Sequence, residues 1–166
     1  MKKAIISVFS IMFVILIASC ALIDSKQTII SDEKNSVNLE GVNISGLSIG
    51  SNINRADVSV FSAASRDIVG FDFLFEEVAL NTSSEGEFTK IQGWISSGAL
   101  LNINGNTLYS KDEIIKELGD NHNNYWFDKE QSLRAITYTD RGNKTNLSLI
   151  FSDIEETLIW VILSRM

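Results

Sequence analysis

The sequence predicts an α+β fold: a short helix followed by an antiparallel β meander, present once or as two tandem units. Three observations carry that expectation. Ser110-Lys111-Asp112-Glu113 is a complete capping box, and it precedes a series of alternating apolar and polar segments parted by short turns. A second cap-like residue, Asn54, precedes a similar series. An offset of 56 residues aligns the two series without a gap, placing Phe71-Asp72 on Phe127-Asp128 and Gly86 on Gly142.

Taken in order, Met1-Lys2-Lys3 leads into an uncharged run from residue 4 to residue 19 with five isoleucines. A membrane span needs about 20 apolar residues. A basic start, a shorter apolar run and small residues at its end describe a secretory signal peptide instead. The run closes on Ile17-Ala18-Ser19-Cys20, and Cys20 is the one cysteine in the chain. This tetrapeptide resembles the lipobox of bacterial lipoproteins, an aliphatic residue and two small ones before an obligatory cysteine. In that family the cysteine sulfur receives a diacylglyceryl group, and the chain is then cut so that the acylated cysteine becomes its first residue. The resemblance implies lipidation at Cys20 and an extracytoplasmic body held at the cell membrane. Thiol nucleophilicity suits thioether formation, and two or more acyl chains hold a protein stably where one does not. The residues alone also allow a signal peptide with an incidental cysteine or an uncleaved N-terminal anchor.

Loss of residues 1–19 removes Lys2 and Lys3 and leaves 12 basic against 21 acidic residues, a formal charge of −9 in place of −7. Such a body is repelled by nucleic acid, so no nucleic-acid partner is expected. Residues 20–40 are mostly polar and read as a tether, although Ile29-Ile30 could start a strand or meet a partner. The rest divides into a first unit, 41–97, and a second, 98–166.

In the first unit Asn54 is the expected cap, Asp57 lies in the first turn, Ile53 and Val58 form a staple, and the helix ends near Ala63. Strands are expected over 69–75, 78–81 and 88–95. Phe71, Phe73 and Phe75 alternate onto one face and read as core. In the second unit Ser110 caps a helix with a Tyr109–Ile114 staple and a Gly119 stop. Strands over 125–128, 133–139, 146–151 and 158–163 follow, parted by Asp-, Asn-, Ser- and Gly-containing turns. This element order over residues 42–163 resembles small envelope lipoproteins of the outer-membrane small-protein-A type and the β-lactamase inhibitor protein. The resemblance implies a sheet packed on helices by one face and presented to a partner protein by the other. The second helix those units often carry is not evident here.

Catalytic signatures are sparse. His122 is the one histidine, in a polar stretch, Asp120-Asn121-His122-Asn123-Asn124, that lacks the central glycine and closing glutamate of a calcium loop. Neighbouring carboxylates at Glu76-Glu77, Asp112-Glu113 and Glu155-Glu156 could divide acid and base roles, but adjacent strand residues point to opposite faces. The glycines between Gly41 and Gly50 have neither the lysine nor the spacing of a phosphate-binding loop and read as turns and strand ends. The expectation is therefore a non-catalytic, inhibitor-like or protein-binding lipoprotein of the bacterial cell envelope, with no cofactor and no metal. Exposed aromatics dominate binding energy, so Trp94, Trp126, Tyr138 and Trp160 are the candidate contact residues, each with ordinary core as its alternative. The rival is an envelope enzyme using carboxylates, or a divalent cation near Asp120 and Asp140.

Overall fold

A computed structural model describes residues 36–166; the expected signal peptide, Cys20 and Ile29-Ile30 lie outside the described residues. Ten strands and one α-helix are found among them: β1 (Val42–Ile44), β2 (Phe73–Leu74), β3 (Val78–Thr82), β4 (Phe88–Trp94), β5 (Leu101–Ile103), β6 (Asn106–Leu108), α1 (Lys111–Leu118), β7 (Asn123–Asp128), β8 (Leu133–Asp140), β9 (Thr145–Ser152) and β10 (Leu158–Arg165). The fold is β-rich, which corrects the expected α+β arrangement of a helix before each meander.

The missing first helix has a local cause. Asn54 does not cap; its N–H donates to the Asn52 side chain, and Ile53 donates to the Gly86 carbonyl oxygen, so the segment is tied to the β3–β4 turn. Asp57 caps instead, accepting from Ser59, and only a 3-10 turn forms over Val58–Val60. Val58-Ser59-Val60-Phe61-Ser62 contains no strong helix former, because branched and aromatic side chains lose rotamer freedom and serine competes for backbone partners. By contrast α1 has both halves of its capping box, Ser110 accepting from Glu113 N–H and Glu113 accepting from Ser110 N–H. Eight residues are too few for a free helix, so fully buried Ile114 supplies its tertiary anchor.

Two antiparallel sheets result. The larger has the order β2-β3-β4-β10-β9-β8-β7 and the smaller β1-β5-β6. The large sheet joins two meanders, β2-β3-β4 and β7-β8-β9-β10, through a β4–β10 seam in which Trp94 faces Trp160 and Gly93 faces Val161. Under the 56-residue offset β3 falls within β8 and β4 overlaps β9, but α1 corresponds only to the 3-10 turn. Nothing in the first meander corresponds to β10, because the chain turns at Ile95–Ser97 and leaves for β5.

One face of the large sheet forms the main core with the small sheet and α1. Leu80, Ile91, Ile136, Tyr138, Leu147, Leu149, Val161 and Leu163 meet Ile44, Leu101, Ile103 and Ile114 there. Close approach of the layers depends on Gly93, where an added Cβ would sit 2.7 Å from Ile44 Cγ2 and 2.9 Å from Ala99 Cβ. In the small sheet, Asn104-Gly105 closes the β5–β6 hairpin with both φ angles positive, as a two-residue turn with right-handed strand twist requires.

The phenylalanine stripe needs correction. Phe75 packs on the core and against Phe61, with ring centroids 5.6 Å apart, but Phe73 is exposed and Phe71 lies beneath Lys90 Nζ at 4.8 Å. Strand β2 is only two residues long and lies at the sheet's edge, so the alternating residues beyond it are not held on one covered face.

Candidate functional site

The four candidate aromatics do not share a surface. Tyr138 is fully buried in the main core, where its hydroxyl donates to the Gly119 carbonyl oxygen at 3.0 Å and its ring lies against His122, centroids 5.2 Å apart. Burial, and after it the charge of Asp120, raises its pKa to about 12. Alternation in β8 turns Tyr138 toward the core, along with Ile136, while Ala135 joins a cluster with Leu133 and Ile150 outside the main core.

Trp94 and Trp160, by contrast, are brought together as direct cross-strand partners. Trp94 is 9% exposed and lies under the Arg66 guanidinium, whose carbon is 4.0 Å from the ring centroid. Trp160, Ile159 and Ile162 cover Leu133, Ala135 and Ile150, and Phe127 meets Trp160 edge-on at 5.5 Å.

The carboxylate pair Glu76-Glu77 explains the loop above Trp94. Glu77 accepts from Ser62 N–H at 2.9 Å and from Ser62 Oγ at 2.8 Å. Glu76 accepts from Ser65 N–H, and Arg66 donates to the Glu76 carbonyl oxygen. Hydrogen bonds from Ser65 hold the Glu76 carboxyl below its ordinary pKa. Partial burial pushes Glu77 up, but hydrogen bonds from Ser62 outweigh it and leave Glu77 lowered as well. Glu113 is lowered by backbone N–H groups of Tyr109 and Ser110. All three are occupied in structural roles.

Asp140 is likewise committed, and it is one of two buried polar residues among those described. Its carboxylate accepts from Leu39 N–H, Asn143 N–H and the Asn143 side-chain amide. Among the described residues no three His, Cys, Asp or Glu side chains converge in a way that could hold a metal ion. A polar groove of about 430 Å³ is lined by Ser51, Asn52, Arg55 and Glu87, and Glu87 is ion-paired with Arg165 at 3.4 Å.

Three consecutive exposed aromatic residues lie elsewhere. Strand β7 ends the large sheet, and its Tyr125, Trp126 and Phe127 are 48%, 37% and 48% exposed. Tyr125 lies opposite Ala135 and Trp126 opposite Arg134, whose guanidinium carbon is 4.1 Å from the Trp126 ring centroid. Arg134 also donates to Asp153 at 2.7 Å. Beside this pair a cleft of about 50 Å³ is lined by Asn124, Arg134, Ile136, Asp153 and Glu156, room for only a few water molecules. Of the four expected residues Trp126 lies here, and Trp160 adjoins it through its edge-on contact with Phe127. The signal for Tyr125 and Phe127 was the unbroken Tyr125-Trp126-Phe127 run, which alternation alone could not place at a sheet edge. Comparison with protein families, curated proteins and solved structures finds no match to this chain.

Proposed function

We propose that this chain is a lipid-anchored, extracytoplasmic module of the bacterial cell envelope that acts by binding another protein rather than by catalysis. The observation that carries the binding reading is the exposed edge strand β7 with its three consecutive aromatics. Rigid aromatic side chains supply much contact area at small conformational cost, and an edge strand adds unpaired backbone groups. The anchor rests on Ile17-Ala18-Ser19-Cys20 and the basic, apolar segment before it.

Site-specific photocrosslinking in intact cells tests the binding reading. A benzoylphenylalanine placed at Tyr125 is expected to give a discrete protein adduct that the same group at exposed Lys116 on α1 does not give. Absence of an adduct from Tyr125, or the same adducts from both positions, overturns the reading. The anchor has a separate test: Cys20→Ala should abolish fatty-acid labelling and release the protein from the membrane fraction, and unchanged labelling would sink it.

A further inference from the structure

Antiparallel sheets leave every second N–H and C=O of an edge strand pointing outward, and soluble proteins usually shield such edges. The two edges of this sheet are treated differently. Strand β2 has two residues, and Ala63 forms a bridge to Phe75 immediately after it. Strand β7 has six, and among the described residues its backbone pairs only with β8.

The usual shielding devices are mostly missing from β7. Residues 121–127 contain no formally charged side chain and no proline. One irregularity, between Trp126 and Asp128, bends the far end of the strand and leaves Asn123, Asn124, Tyr125 and Trp126 in regular register with β8. Tyr125 and Trp126 project to opposite sides of the sheet, so a strand laid along this edge finds an aromatic wall on each face.

Charge selects the occupant. Residues 36–166 carry 18 Asp and Glu against 10 Lys and Arg. Around β7 carboxylates also exceed cations, five to three: Asp120 precedes the strand, Asp128, Lys129 and Glu130 follow it, and Asp153, Glu156, Lys111 and Arg134 line the cleft beside Asn124. Arg134, the basic side chain nearest Trp126, is engaged by Asp153. A second copy of the chain would bring the same acidic turns and the same net negative charge against this edge.

We propose that the free edge of β7 takes an extended, positively charged segment of a partner protein as an eighth strand. This rests on the protein-binding reading above and gives it a mode and a partner chemistry. Backbone pairing supplies the attachment, Tyr125 and Trp126 receive alternate side chains, and the flanking carboxylates receive lysine or arginine.

The test uses the full chain in detergent and three synthetic probes: a peptide alternating lysine with valine, its glutamate counterpart, and the lysine peptide with alternate backbone nitrogens methylated. The lysine peptide is expected to bind, to slow amide exchange within Asn123–Asp128, and to weaken as salt rises. The glutamate and methylated probes are expected not to bind. Trp126→Ala, at an exposed position with its circular dichroism unchanged, should weaken the lysine peptide about tenfold. Equal binding of the glutamate probe overturns the charge argument, and binding of the methylated probe overturns strand addition. Outward-facing amides of β7, those not bonded to β8, that are already protected before any peptide is added show the edge to be occupied by this chain or another copy, which also overturns it. Adducts from Tyr125 in cells without peptide protection of β7 remove strand addition alone, whereas absence of adducts removes the binding reading whatever the peptides do.

Discussion

Leu39 N–H donates to Asp140 Oδ2 at 2.8 Å, joining residues 101 positions apart at the point where the described chain begins. Val37 N–H donates to the Thr139 carbonyl oxygen beside it, so residues 37 and 39 are clipped to the end of β8. Burial pushes the Asp140 carboxyl up, but donors from Leu39, Asn143 and Gly142 outweigh it and hold its pKa below the ordinary value. A carboxyl lowered on folding contributes stability above its unfolded pKa, and that contribution is lost as the pH falls through the folded value. Asp140→Ala is expected to cost about 2 to 3 kcal/mol in urea unfolding at neutral pH, since it leaves buried donors unpaired. The difference between wild type and Asp140→Asn should shrink as the pH is taken below about 4, the unfolded carboxyl range. A difference that stays constant across that range would contradict the assignment.

Gly93 is expected to tolerate no side chain. Gly93→Ala places a methyl group 2.7 Å from Ile44 Cγ2 and 2.9 Å from Ala99 Cβ, and overpacking of this kind costs about 1 to 3 kcal/mol. Thermal unfolding of Gly93→Ala and of Gly93→Ala with Ala99→Gly provides the check. The second change removes one of the two clashes and should recover part of the loss.

Tyr138 links the core to the end of α1. Tyr138→Phe removes the hydroxyl donor to Gly119 and should cost about 1 kcal/mol. Its pKa of about 12 also has a consequence for alkaline stability. Because the folded value lies above the unfolded one near 10, the contribution is complete below about pH 10 and fades as the pH rises toward 12. A phenolate absorbance titration should contain a late component that Tyr138→Phe lacks.

The loop above Trp94 should loosen without unfolding the protein. Glu77→Ala removes the acceptor for both Ser62 groups, and Arg66→Ala uncovers the indole. Both changes lie outside the main core, so the expected loss in global stability is below about 1 kcal/mol. Access of a neutral quencher to Trp94 fluorescence should rise in both variants, measured with Trp126 and Trp160 replaced by phenylalanine.

Much of the second meander was readable because its cues are local. Ser110 and Glu113 meet within one helical turn, and Asn146-Leu147-Ser148-Leu149 alternates in the period of a half-covered strand. Strands β8, β9 and β10 accordingly begin and end within two residues of expectation. The β5–β6 hairpin was missed, although the Asn104-Gly105 turn that closes it is a local signal of such a pair. Asn54 misled because Asn52 and the turn at Gly86 compete for the backbone that a helix would need. The candidate site was less visible: Trp94 and Tyr138 had the right chemistry for a contact surface and were claimed by packing.

By itself, then, the sequence determined where α1 starts and that Asn146 to Leu149 alternate, since capping and side-chain periodicity are settled by neighbours a few positions away. It also determined the acidic charge that any partner must meet. Only the tertiary structure decided that β4 pairs with β10, that Tyr138 turns inward, and that Tyr125, Trp126 and Phe127 stand at an edge with no second neighbour among the described residues. Those outcomes depend on which strands become neighbours and which face is covered by β1, β5, β6 and α1. Alternation marks two faces of a strand, and the layer packed on one of them determines which face is the core.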